Sequence, residues 1–143
     1  MGRAALVLVA WACVSSGAVA DGKGGALPDP SLLDGVLAKV VVEDDAAVDY
    51  GKLVGDKKLR DKLDRYLKQA ATMPKDAPMA VWINVYNAAV IAQVLEHGVP
   101  ESVRKVPGFF DQHTWMVAGR EETLDGIEHG VLRTRFRDAR IHV

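Results

Sequence analysis

The side chains that could do chemistry are few and widely spaced. Four histidines occur, His97, His113, His129 and His142, and no two stand four residues apart. The H-E-x-x-H and related short spacings that present two imidazoles to one ion are therefore absent, and no metal site is expected. Glu128 and His129 are adjacent. On an α-helix they diverge by about 100°, which would prevent them from gripping one ion as a local pair. They remain the candidate acid and base. Asn84 and Asn87 are three apart in an otherwise apolar run, so a helix puts both amides on one face. Their readier role is to tie that helix to a neighbouring backbone, because a buried amide without a partner costs about 1–3 kcal/mol. Arg140 and His142 alternate around Ile141 and share a face if the segment is a strand. Glu128, His129, Asn84, Asn87, Arg140 and His142 could thus form one polar cluster; its structural alternative is an Arg140 network with Glu128 or Asp138.

These side chains need elements to carry them. Leu32, Leu33, Val36, Leu37, Val40 and Val41 form a helical stripe, with Ser31 placed to cap it. Val40 to Val42 could start a strand, and 43–50 reads as a loop or short extended piece. A second helix is expected over about 56–72, with Leu59, Leu63, Tyr66, Leu67 and Ala70 inward and a mixed charged face outward. Over 79–95 the polar interruptions are two asparagines and Gln93. A helix apolar all round is buried all round. Asp76 and Pro78 suit its start, and Gly98 and Pro100 its end. A strand at 114–117 should turn at Ala118-Gly119-Arg120 and return through 121–123. Thr123 should then cap a last helix striped by Leu124, Ile127, Val131 and Leu132. The expected fold is α+β: a helix-rich single domain with a long buried central helix and a small, mostly antiparallel sheet.

The N-terminus has its own signature. Arg3 precedes an apolar run of 11 residues from Ala4 to Val14, and Ala18-Val19-Ala20 follows. This is the charged, apolar and small-residue order of a cleavable secretory signal. The run is too short for a bilayer core, which takes about 20 residues. Cleavage after Ala20 would send the chain to the periplasm or outside the cell, with 21–30 as a flexible leader before a domain at 31–143. Cys13 is the single cysteine and leaves with the signal. The alternative is a lipoprotein anchored at Cys13, for which Ala10-Trp11-Ala12 is a poor recognition box. Net charge is −1, and removing the signal takes one base and no acid. That balance, with no strongly basic face evident, argues against nucleic acid as a partner. A small molecule or peptide is left, with no membrane span after cleavage and no cofactor.

Three stretches carry a resemblance: Trp82-Ile83-Asn84-Val85-Tyr86-Asn87-Ala88, then Thr123-Leu124-Asp125-Gly126-Ile127-Glu128-His129-Gly130-Val131-Leu132-Arg133, then Asp138-Ala139-Arg140-Ile141-His142. Taken in this order they resemble the DUF547 family, a domain of unknown function, from about residue 48 to the end. Ala139 stands where that family usually has Pro. The family also continues past the R-I-H stretch into a segment with a Cys and a later Cys-Pro, whereas this sequence stops at Val143. The resemblance therefore implies a domain incomplete at its C-terminus. If the family uses a thiol, Glu128 and His129 are left without the nucleophile they would serve. Ser31 and Ser102, the serines beyond the signal, read as helix caps.

Three readings follow. One is an exported, truncated family domain without competent catalysis. Another is a periplasmic binding or structural module. The third is a thiol-hydrolase-like or peptidase-like enzyme whose missing segment is supplied elsewhere.

Overall fold

A computed structural model describes residues 3–4, 25–42 and 47–137. The first helix, α1 (Pro30–Val40), is capped by Asp29 rather than by Ser31. The Asp29 carboxylate accepts from the Ser31 amide at 2.9 Å, and Pro30 takes the first turn, where a missing N–H is harmless. Hydrogen bonds from the Ser31 side chain, then from its amide, hold the Asp29 carboxyl below the usual carboxylate range. The predicted stripe is inward: Leu32, Leu33, Val36, Leu37 and Val40 are buried.

A three-stranded antiparallel sheet follows from β1 (Arg3–Ala4), β2 (Val41–Val42) and β3 (Ala47–Asp49), in the order β1-β3-β2. Val41 pairs with Val48, and Ala4 pairs with Val48 from the other side. Asp49 then starts a short helix that the sequence did not announce, α2 (Tyr50–Gly55), by accepting from the Lys52 amide. Its two anchors, Tyr50 and Leu53, are fully buried. The expected second helix begins only after Asp56, which caps α3 (Lys57–Ala70) by accepting from the Lys58 and Leu59 amides. Arg60 locks the junction by donating to the carbonyls of Leu53 and Val54.

The central helix, α4 (Met79–Glu96), is buried on nearly every side, including Trp82, Tyr86, Asn87 and Gln93. By length and composition it is the one helix among the described residues that could cross a bilayer; 72% of it is buried within the protein. α4 packs against α3 on one side and against the last helix on the other, so its apolar circumference is used up as core. Asp76 does not cap it. Pro78 occupies that position, and no side chain bonds to the first turn. Pro78 instead leaves its carbonyl to the Val81 and Trp82 amides. The helix ends as expected at Gly98, with φ +70.

A hairpin of β4 (Thr114–Val117) and β5 (Arg120–Thr123) forms the second, two-stranded antiparallel sheet. Ala118 and Gly119 both have positive φ, +50 and +80, the requirement of a two-residue turn that matches strand twist. The turn is docked inward: the Ala118 amide donates to the Ala70 carbonyl at 2.9 Å and the Gly119 amide to the Ala71 carbonyl at 2.8 Å. The second bond gives the Ala71 carbonyl a partner beyond the end of α3, and the first adds to the Met73 amide already donating to Ala70.

Thr123 caps the last helix as anticipated, its hydroxyl accepting from the Gly126 amide at 3.0 Å. The winding was not anticipated. From Gly126–Phe136 the chain forms a π-helix, with partners five residues apart instead of four, and it ends at Arg137 in the left-handed conformation. Ile127, Val131 and Leu132 still face the core. The architecture is α+β and helix-rich, with a buried central helix and antiparallel pairing in both small sheets.

Candidate functional site

The most constrained polar side chain on the π-helix is Glu128, whose residue is only 6% exposed. A buried carboxylate must be paired. Its Oε1 accepts from Arg133 Nη2 at 2.7 Å, and its Oε2 lies 3.4 Å from the Tyr86 hydroxyl of α4. Arg133 reaches Glu128 because the two are five apart, which the π winding stacks on one face. The same spacing lets the Thr134 hydroxyl donate to the His129 carbonyl at 2.5 Å. Tyr86 is also buried. Burial first, and the Glu128 charge second, push its hydroxyl pKa well above the ordinary tyrosine value, so it stays protonated and donates.

His129 emerges from the same turn, with its side chain 57% exposed and Nε2 4.0 Å from Glu128 Oε1. Asp125 joins them. One donor atom from each of Asp125, Glu128 and His129 lies within 4.8 Å of the others. Asp125 stands three and four residues before its partners, a spacing that puts side chains on one side of a helix. Asp125 escaped the sequence reading, although the D-x-x-E-H spacing was present to find it.

Beside this turn is an open groove of about 360 Å³. Trp82 and Val131 give it an apolar base, and Lys75, Arg120 and Arg135 line it against a single acid, Asp76. Gly130 has nothing within 4 Å of where a Cβ would stand, so the helix leaves the groove open at that point. Arg135 donates to the Lys75 carbonyl, and Arg120 pairs with Glu122, which fixes two of the three cations. Lys75 has no ion-pair partner among the described residues. Trp82 is 2% exposed, and its indole N–H is buried without a hydrogen-bond acceptor.

The other predicted residues divide. Asn87 is buried and Asn84 half-buried on α4, but the hydrogen bond described between α4 and the π-helix comes from Tyr86. Arg140, His142 and the strand expected around them lie outside the described residues. His97 and His113 stand elsewhere, at the far end of α4. Their rings are 6.3 Å apart, and His113 Nε2 is 3.3 Å from Glu96 Oε2.

The sequence model of DUF547, described as a protein of unknown function, matches residues 70–143. This chain belongs to the DUF547 family. No curated protein and no solved structure matches it. The DUF547 match starts later than the resemblance suggested, at the end of α3 rather than near residue 48. It nevertheless contains Tyr86, Asp125, Glu128, His129, Arg133 and every residue of the groove. Both polar features therefore belong to the DUF547 segment, and α1, α2 and nearly all of α3 form the layer that supports it.

Proposed function

We propose that this DUF547 protein is an exported binding module that holds a small organic anion in the groove between α4 and the π-helix. The observation carrying this is the charge of the groove lining: Lys75, Arg120 and Arg135 against Asp76, with Glu122 beside it offsetting Arg120, so one positive charge is left in excess next to Trp82. Convergent cations over an aromatic base suit a carboxylate or phosphate ester on a compact organic body. Two of the cations are already held by neighbours, which lowers the ordering cost of binding. Lys75 is the one left to close on the ligand.

The test is a nuclear magnetic resonance titration with a panel of dicarboxylates and phosphate monoesters. At least one class should shift the Trp82 indole N–H, and the Lys75→Ala/Arg120→Ala double variant should weaken that binding at least tenfold. A panel that leaves the indole unmoved at millimolar concentration, or affinity unchanged in the double variant, would sink the reading.

The export part of the proposal rests on the Arg3, apolar-run and Ala18-Val19-Ala20 pattern. Protein recovered from outside the cytoplasm should begin at Asp21. Recovery of the Met1 form alone would remove export from the reading.

A further inference from the structure

We propose that Asp125, Glu128 and His129 form a site for a borderline divalent transition metal, of which zinc and cobalt are the reference ions. This is independent of the anion groove, which uses none of these three residues.

The donor set is two carboxylates and one imidazole, all within 4.8 Å of one another. Imidazole selects against calcium and magnesium, which prefer all-oxygen shells, and favours zinc, cobalt or nickel. Bonds of about 2.1 Å put tetrahedral donors about 3.4 Å apart, so the three atoms must close by roughly an ångström. The closure falls to the side chains that can move: His129 is 57% exposed and Asp125 half-exposed. Glu128 need not move, because Tyr86 and Arg133, both outside the triad, already fix its carboxylate. A ligating carboxylate is ordinarily oriented in this way by a hydrogen bond from behind. An ionised carboxylate offers about four lone-pair directions. Arg133 and Tyr86 take two, which leaves capacity for a metal.

Charge also allows it. The triad carries two negative charges with a neutral imidazole, and Arg133 offsets one. A divalent ion therefore still meets net negative charge, although Arg133 will weaken its binding relative to an unopposed pair of acids. Three protein ligands leave a fourth position open to water, the arrangement of a reactive rather than a purely structural zinc site.

The experiment is a cobalt(II) titration of the full chain, read by visible absorption and by the thermal midpoint. One equivalent should give a saturable d–d band and raise the midpoint. His129→Ala, at an exposed site, and Asp125→Asn, at a half-buried one, should each weaken binding at least tenfold while keeping the circular dichroism of the parent. His97→Ala and His113→Ala should leave it unchanged. Three results overturn the proposal: no saturable cobalt band; binding insensitive to both triad substitutions; or binding lost with His97 and His113 instead. Because the readout is the metal itself, failure of the anion groove would not alter it.

Discussion

Replacing Trp82 by Ala should lower the unfolding free energy by about 3–5 kcal/mol, the usual cost of deleting a buried aromatic ring. That is a large share of the roughly 5–15 kcal/mol that holds a domain of this size together. Trp82 is 2% exposed, on a helix that packs against both α3 and the π-helix, so removing the ring opens space in the core. The indole N–H carries no hydrogen bond, and burying it unpaired is itself a cost. Trp82→Phe, which keeps most of the ring and removes the orphaned donor, should therefore lose much less than Trp82→Ala. Urea unfolding of the two variants checks this. Equal losses would mean that shape alone sets the cost, and an unchanged midpoint for Trp82→Ala would contradict the core placement.

The second large effect is expected at Gln93. Its side chain is fully buried near the end of α4, and both ends of the amide are used. Nε2 donates to the Phe109 carbonyl, and Oε1 accepts from the Trp115 indole N–H at 2.9 Å. One side chain thus fastens both the loop after α4 and strand β4 to the central helix. Gln93→Ala would leave the Phe109 carbonyl unpaired at a buried residue, free the Trp115 N–H and open a cavity. Leaving one buried partner unsatisfied costs about 1–3 kcal/mol, so a total near 3 kcal/mol is expected. Chemical unfolding gives the magnitude, and the Trp115 indole resonance should move in the folded variant. A loss below about 1 kcal/mol with an unmoved resonance would show that the amide is replaceable by water.

Gln93 also shows where sequence reading stops. The periodicity of the chain announced α1, α3, α4 and the β4–β5 hairpin, because each has an apolar stripe or an alternating run bounded by a cap or a glycine. The buried placement of Trp82 and Tyr86 followed from the same signal. Gln93 was visible as a polar residue in an apolar run, but its two partners, 16 and 22 residues later, depend on how a loop and a strand return. α2 was hidden because six residues are too few for a period, and Asp49 rather than an apolar stripe starts it. Asp76 looked like a cap because it precedes α4, yet the chain between 76 and 79 does not turn its carboxylate onto the first amides.

The site was half legible for a related reason. Glu128 and His129 drew notice as chemically capable neighbours. The pairing of Glu128 with Arg133 depends on the pitch of the helix, and hydrophobic spacing does not separate α from π winding, since Ile127, Val131 and Leu132 face inward either way. The groove was not foreseen because Lys75, Arg120 and Arg135 lie on three separate segments.

The docked hairpin turn bears on how this protein can be engineered. The tip of a two-residue hairpin is ordinarily the first place to insert an epitope, a fluorophore loop or a permuted terminus, because tips are exposed and spare. Here the tip is a fastening. Its two amides close the end of α3, Ala118 is 4% exposed, and both residues hold backbone angles that few side chains accept. An insertion between Ala118 and Gly119 would break the two hydrogen bonds that tie the hairpin to the end of α3.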